Sequence, residues 1–150
     1  MEINWDNITD DVKQLCLKDE EKTGKVVSVY DGDTIKVVFP LHNTLYKWNC
    51  RLGRVDTPEL RTKNKLEKKY GYIVRDKLRE KILNKVIKIR CGDFDKYGRL
   101  LTELYVVNEN QEDESVNQWL IDNNYAFEYD GGTKKKWEEY LQNNDSINLS

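Results

Sequence analysis

Between residues 24 and 52 the chain offers three β-rich runs, and the gaps between them leave room only for tight turns. Residues 24–30 read Gly-Lys-Val-Val-Ser-Val-Tyr and residues 34–39 read Thr-Ile-Lys-Val-Val-Phe. β-Branched and aromatic side chains of this kind favour extended backbone. Asp31-Gly32-Asp33 joins the two runs, and Asp-Gly is a strong hairpin signal. A second turn over residues 40–44 leads into a third strand over 45–52. Parallel neighbours need a crossover of roughly a dozen residues or more, so these three strands form an antiparallel meander.

The remaining elements follow from periodicity. In residues 64–84, Leu66, Tyr70, Ile73, Val74, Leu78 and Ile82 fall on one helical stripe. Asn64 and Glu67 resemble a capping box, and Gly71 weakens the middle of the helix by about 1 kcal/mol relative to alanine. Residues 85–91 alternate Val86, Ile87 and Ile89 with lysines and read as a fourth strand; residues 100–107 read as a fifth. Asp113-Glu114-Ser115 opens a helix bearing Val116, Trp119 and Leu120, which ends near Asn123-Asn124. Gly131-Gly132 breaks the chain before a last short helix over 134–141 with Trp137, Tyr140 and Leu141. Ile8, Val12, Leu15 and Leu17 predict a short N-terminal helix from about Asp10. The fold class is α+β, mainly β: a five-stranded Greek-key barrel of the OB type with about three flanking helices and a short N-terminal helical extension. The expected division is an extension over 1–23, the barrel domain over 24–141 and a polar, fraying tail over 142–150.

At 150 residues and 17.8 kDa, one domain with a real core is expected. Hydrophobic residues at 38% and charged residues at 35% imply a small core under a heavily charged surface. No apolar run approaches the ~20 residues that span a bilayer, so no membrane partner is expected. The N-terminal residues carry acids and no apolar leader. Cys16, Cys50 and Cys91 are an odd number without a CxxC, which argues against a disulfide framework. Together these favour an intracellular setting. The net charge of -2 conceals a strong asymmetry. Residues 61–90 hold twelve Lys/Arg against three Asp/Glu, whereas residues 101–150 hold three against eleven. A basic middle between acidic ends can present one face to a polyanion.

Three short blocks carry chemistry. Arg51 to Glu59 reads Arg-Leu-Gly-Arg-Val-Asp-Thr-Pro-Glu, a cation on a strand followed by two carboxylates across a turn. Asp31-Gly32-Asp33-Thr34 and Asp95-Lys96-Tyr97-Gly98-Arg99 complete it. Asp33 begins the second strand and Asp56 ends the third, so a closed meander can bring them together. Two carboxylates with a backbone carbonyl and waters form an oxygen site for a hard divalent cation. Arg51 and Arg99 supply planar guanidiniums that bind phosphate oxygens through paired donors.

In order, spacing and supporting elements, these blocks resemble the signature blocks of the staphylococcal nuclease family, over about residues 24–141. Val116-Asn117 and Tyr125-Ala126 resemble that family too. The resemblance implies Ca²⁺ as cofactor, held by Asp33, Asp56 and the main-chain carbonyl of Thr57. It implies Arg51 and Arg99 at the phosphate, Glu59 handling the attacking water, Lys96 and Tyr97 on a terminal phosphate, and Tyr129 stacking on a base. The expected activity is hydrolysis of DNA and RNA at the 5′ P–O bond, leaving 3′-phosphate ends, by a monomer acting on single-stranded or locally melted strands. Two other readings remain: a catalytically silent barrel that only binds nucleic acid, and a restriction-type site built from Asp56 with Glu67-Lys68-Lys69. The latter requires Glu67 and Lys69 on a strand, and they open a helix. One departure from the family pattern is Gly53-Arg54. Strand alternation predicts that Arg54 points away from Arg51, unless Gly53 marks a bulge.

Overall fold

The computed structural model describes residues 1–144. Strands β1 (Glu21–Val29), β2 (Thr34–Leu41) and β3 (Thr44–Leu52) form the antiparallel meander. A two-residue strand β4 (Val55–Asp56) precedes helix α1 (Lys65–Ile82). Strands β5 (Val86–Phe94) and β6 (Leu100–Val107) follow, then a short edge strand β7 (Asp113–Ser115) and helix α2 (Val116–Asp122). Strand β8 (Phe127–Glu128) and helix α3 (Trp137–Asn143) complete the described chain.

β5 pairs antiparallel with both β1 and β6. A short parallel ladder, Cys50 with Leu100 through Leu52 with Thr102, then joins β3 to β6 and closes a five-stranded mixed barrel. The expected OB-type barrel with three flanking helices is the observed architecture. Alternation sends Cys50, Leu52, Leu100 and Thr102 inward, where all are buried, and leaves Arg51 on the outer face. Asp113-Glu114-Ser115, expected to open a helix, instead forms β7, with Ser115 capping α2 from Val116, and the β4–β8 ladder in which Val55 faces Glu128 and Asp56 faces Phe127 was not anticipated. Strands of two or three residues carry too little periodicity to be visible in a sequence. No helix among the described residues is long and apolar enough to cross a membrane.

α1 buries Tyr70, Val74, Leu78 and Ile82 against the barrel, the stripe expected from its periodicity. Asn64 caps it by accepting from the Glu67 amide at 2.8 Å. The Glu67 carboxylate does not close a capping box; it accepts from the backbone amide of Glu59 at 2.9 Å. Gly71 does not break the helix. A methyl group there would lie 2.9 Å from Leu60 and 3.1 Å from the Pro58 and Glu59 carbonyls, so glycine admits the Pro58-Glu59-Leu60 segment onto the helix. Gly32 plays the same part in the β1–β2 turn. A methyl group on it would lie 2.8 Å from both Thr57 Cβ and Val74 Cγ1. The Asp31-to-Asp33 turn is therefore seated directly on Thr57 and α1.

Asn117 is fully buried near the start of α2. Its amide donates to the Gly53 and Thr102 carbonyls at 2.9 Å each, and its oxygen accepts from the Leu104 amide at 3.0 Å. α2 is thereby tied to β6 and to the turn that follows β3. The three cysteines are free, Cys50 and Cys91 in the core and Cys16 exposed. Burial pushes the Cys50 thiol up to about 12 and the Cys91 thiol up to about 11, so both are inert core groups.

The N-terminal segment departs from expectation. No helix starts at Asp10; the helical turn there is a 3₁₀ turn at Trp5–Asn7. Ile8, Val12 and Leu15 are exposed, so the apolar spacing has no surface to pack against. Leu17 alone enters the core, and backbone bonds from Asp19 to the Cys91 carbonyl and from Cys91 to the Glu20 carbonyl lead into β1. An apolar period that touches nothing cannot hold a short helix in water. The polar tail expected over 142–150 begins inside α3, and residues 145–150 lie outside the described residues.

Two outcomes are expected in chemical denaturation. Leu17→Ala, at a side chain 2% exposed, should cost about 2–5 kcal/mol, whereas Leu15→Ala, at 58%, should stay within about 0.5 kcal/mol. Equal effects would contradict the anchoring role of Leu17. Gly32→Ala should cost about 1–3 kcal/mol, because neither Thr57 Cβ nor α1 can retreat easily. A neutral result would show that the turn is not seated as described.

Candidate functional site

The two tight approaches through Gly32 and Gly71 gather the acidic residues at one end of the barrel. The turn after β1 supplies Asp31 and Asp33. β4 supplies Asp56, the following residue is Thr57, and the segment packed on α1 supplies Glu59. Asp31, Asp33, Asp56 and Thr57 are all buried, while Glu59 is exposed. Within the turn, Asp31 accepts from the Asp33 amide at 3.1 Å, which fixes the Asp33 backbone. The Asp33 carbonyl accepts from the Leu52 amide at 2.9 Å and so ties the turn to the end of β3.

Arg51 stands beside this cluster. Its Nη2 lies 3.4 Å from Asp33 Oδ2 and donates to the Val55 carbonyl at 2.9 Å, while Nη1 donates to the Leu52 carbonyl. The guanidinium is thus held by the turn between β3 and β4 and faces the first expected metal ligand. Asp56, the second, is 3.4 Å through Oδ1 from Lys134 Nζ. Asp33 and Asp56 therefore each have one cation against them, which offsets the cost of burying their charge.

The protonation equilibria show how crowded the cluster is. Burial first, and then the Asp33 charge, push Asp31 up to about 7. Burial raises Asp56, opposed by Lys134 and reinforced by Asp33. Glu59 is raised above the ordinary carboxylate range by partial desolvation and then by Asp33, with Asp56 and Glu67 adding to it and Lys134 opposing. The Asp33 charge acts on the other three carboxyls, which places all four within interaction range. Among the described residues no three His, Cys, Asp or Glu side chains form a metal cage. The expected ligands Asp33, Asp56 and the Thr57 carbonyl would offer an open set of hard oxygens rather than a cage.

Arg99 is positioned differently from Arg51. Its Nε donates to Asp95 Oδ2 at 2.8 Å, and its amide, like that of Tyr97, donates to Asp95 Oδ1 at 2.9 Å. Burial alone would raise the Asp95 carboxyl, but these donors outweigh it and hold the group below its usual range. No hydrogen bond or ion pair joins Arg99 to the carboxylate cluster among the described residues. The parallel register nevertheless sets Leu101 beside Arg51, and Arg99 immediately precedes the β6 strand that carries Leu101. Lys96 and Tyr97 occupy the turn before it, closed by Gly98 at φ +81°. Tyr97 is 71% exposed, with the Lys96 ammonium 5.2 Å and the Arg99 guanidinium 5.5 Å from its ring centre.

Arg54 points away from the site, as expected, but for another reason. β3 ends at Leu52 and β4 begins at Val55, so Gly53-Arg54 is a turn and neither a bulge nor continuing strand. Arg54 adopts φ +64° and reaches Glu103, with Nη2 2.8 Å from Oε1 and Nε 2.9 Å from it. Tyr129 follows β8, and its amide donates to the Arg54 carbonyl at 2.7 Å. Its hydroxyl donates to the Gly132 carbonyl at 3.0 Å, and its ring centre lies 5.3 Å from Lys134 Nζ.

Lys134 is the site residue that sequence reasoning missed. The lysine run over 134–136 read as the solvated start of a helix, but α3 begins only at Trp137. Lys134 lies in the irregular segment before it and bridges Asp56 and Tyr129. No motif marks it; the β4–β8 ladder makes it a neighbour of Asp56.

The family described as Staphylococcal nuclease homologue matches residues 49–146. An uncharacterized protein of Methanocaldococcus jannaschii is 31% identical over 142 residues, covering 81% of this chain and 66% of that protein. A protein of Escherichia coli O157:H7 named as an uncharacterized endonuclease is 28% identical, covering 71% of this chain and 61% of its own length. Endonuclease YncB of Bacillus subtilis is 32% identical, covering 69% of this chain and 48% of its own length. The chain thus spans about half to two thirds of the length of these relatives. The family match covers well over half of the chain, so the chain belongs to the staphylococcal nuclease homologue family.

Proposed function

We propose that this chain is a Ca²⁺-dependent phosphodiesterase that hydrolyses single-stranded or locally melted DNA and RNA at the 5′ P–O bond, leaving 3′-phosphate ends. The observation that carries this reading is the pair of buried carboxylates, Asp33 and Asp56, each set against a cation, with the exposed Glu59 carboxylate among them. Membership of a nuclease-homologue family and the endonuclease names of two relatives support it.

Asp33, Asp56 and the Thr57 carbonyl would hold the cation, which favours hard oxygen donors and accepts the remaining ligands from water and substrate. When bound, Ca²⁺ supplies charge that polarises a phosphoryl oxygen and eases deprotonation of water. The other steps belong to the chain itself. Arg51 has two nitrogens engaged, and its Nε has no hydrogen-bond partner among the described residues. It is therefore a fixed, partly unspent donor for a phosphate oxygen. Charge grows on those oxygens as phosphorus becomes five-coordinate, so Arg51 stabilises the transition state more than the ground state. Arg99, just before β6, would add a second guanidinium. Glu59 takes the proton of the attacking water, and its raised proton affinity makes it a better base than an ordinary carboxylate. The water oxygen bonds to phosphorus, the P–O5′ bond breaks, and the departing 5′ oxygen takes up a proton from solvent. Lys96 and Tyr97 would meet a terminal phosphate, and Tyr129 would stack on a base as single-strand sites allow.

Incubation with single-stranded DNA should give 3′-phosphate products in Ca²⁺ and none in excess EGTA. Undiminished cleavage in EGTA would remove the metal from the mechanism, 5′-phosphate ends would overturn the bond assignment, and no product under either condition would leave only a binding barrel. Glu59→Gln should lower kcat by about 10²-fold or more while nucleotide affinity stays within a few-fold. A near wild-type kcat would exclude Glu59 as the base.

A further inference from the structure

A second feature begins where the candidate site ends. Leu60 and Arg61 follow Glu59, and Tyr30 precedes Asp31. These residues form one wall of an open trough of about 680 Å³ whose other wall is α1. From α1, Lys68, Tyr72, Arg75 and Arg79 line it at helical spacing, so they share one face of the helix. Lys63 completes the loop side. Five cations and two tyrosines thus line the trough, and among the described residues no carboxylate does. Asp76 pairs with Arg75 at 2.9 Å but lies outside the lining, and Arg79 is held by the Val29 carbonyl.

The tyrosines are not core residues that happen to reach the surface. Tyr30 is 46% exposed and Tyr72 40% exposed. The Arg61 guanidinium lies 5.8 Å from the Tyr30 ring centre, and that of Arg75 lies 4.6 Å from the ring centre of Tyr72. Each tyrosine is therefore paired with a planar cation. Aromatic and guanidinium planes stack on any base, while Lys63 and Lys68 can meet the backbone between bases.

We infer that the trough lined by Tyr30, Arg61, Lys68, Tyr72 and Arg75 is a docking groove for the single strand flanking the phosphodiester that is cut, so that the chain engages several nucleotides beyond its cleavage site. The choice of a nucleic-acid strand as occupant rests on the nuclease reading above. The case for the groove is its own: an excess of positive charge along its lining, accessible aromatic faces and chain continuity with the acidic cluster. A groove of this kind gives affinity that grows with strand length and falls with salt, and it leaves sequence preference weak.

The test uses the full chain and oligothymidylate of about a dozen nucleotides, a length chosen to span several stacking positions. Binding is followed by fluorescence anisotropy in EGTA, so that no strand is cut, over a series of salt concentrations. The triple variant Arg61→Ala, Lys63→Ala, Lys68→Ala should raise Kd by about tenfold or more and reduce the salt slope by about two, since each single-strand phosphate contact contributes about 0.7. The double variant Tyr30→Leu, Tyr72→Leu should raise Kd by about tenfold at nearly constant salt slope. Cleavage of a thymidine dinucleotide in Ca²⁺ should change less than about twofold in the triple variant, since so short a substrate ends before the groove. Unchanged affinity and salt slope in a triple variant that melts like wild type would overturn the groove. So would an abasic strand that binds wild type as tightly as the base-bearing one. Wild-type cleavage with a silent triple variant overturns the groove alone. Groove-dependent binding without cleavage supports the groove and overturns the nuclease reading.

Discussion

The parallel pairing of Cys50 to Leu52 on β3 with Leu100 to Thr102 on β6 is the contact on which the rest of the structure depends. Without it the meander would be an open sheet with two exposed edges. With it, inside and outside are defined all round the barrel. Cys50 and Leu52 join the core, and Arg51 between them must face out, toward the turn carrying Asp33. Only three residue pairs make the closure, and Asn117 reinforces it from outside by bonding to Gly53 and Thr102 on its two sides. The same buried amide sets the turn that ends β3, and with it the direction in which the chain carries Asp56, Thr57 and Glu59.

Close backbone approach does the remaining positioning. Gly32 lets the acidic turn sit on Thr57 and Val74, and Gly71 lets the Pro58-to-Leu60 segment sit on α1. α1 is therefore more than a lid on the barrel. Its core face holds the carboxylates in place, its N-terminal Glu67 holds the Glu59 backbone, and its outer face lines the basic trough. The result is a concentration of like charge that the fold does not favour. Burial first, and then the charge of Asp33, push Asp31 up to about 7 and raise Asp56 and Glu59. Arg51 and Lys134 offset part of this repulsion. Strained electrostatics of this sort collect where chemistry is done.

Much of this was legible beforehand. The meander, α1 and the two following strands were read with nearly their observed limits, because each has a long face against the core and hence a clear period. The three chemical blocks lie on those elements, so Asp33, Arg51 and Asp56 could be expected to converge once a closed barrel was assumed. The N-terminal helix failed because spacing records only that apolar residues recur. It does not record whether any surface receives them, and only Leu17 finds one. The Gly53-Arg54 turn was hidden for a related reason: a left-handed arginine is stabilised by Glu103, a partner distant in sequence. Lys134 was misjudged because its partners, Asp56 and Tyr129, reach it only through two-residue strands.

The sequence by itself determined the order of elements, the class of barrel and the kinds of side chain at the site, because hydrophobic period, turn residues and charge are local properties of the chain. The tertiary structure alone decided which charges oppose one another. It set Lys134 against Asp56, Glu67 against the Glu59 backbone, Arg99 against Asp95, and the tyrosines of two separate segments along one basic trough. Electrostatic and stacking contacts act over a few ångströms in space without regard to separation along the chain. They exist only once barrel closure has fixed which segments are neighbours.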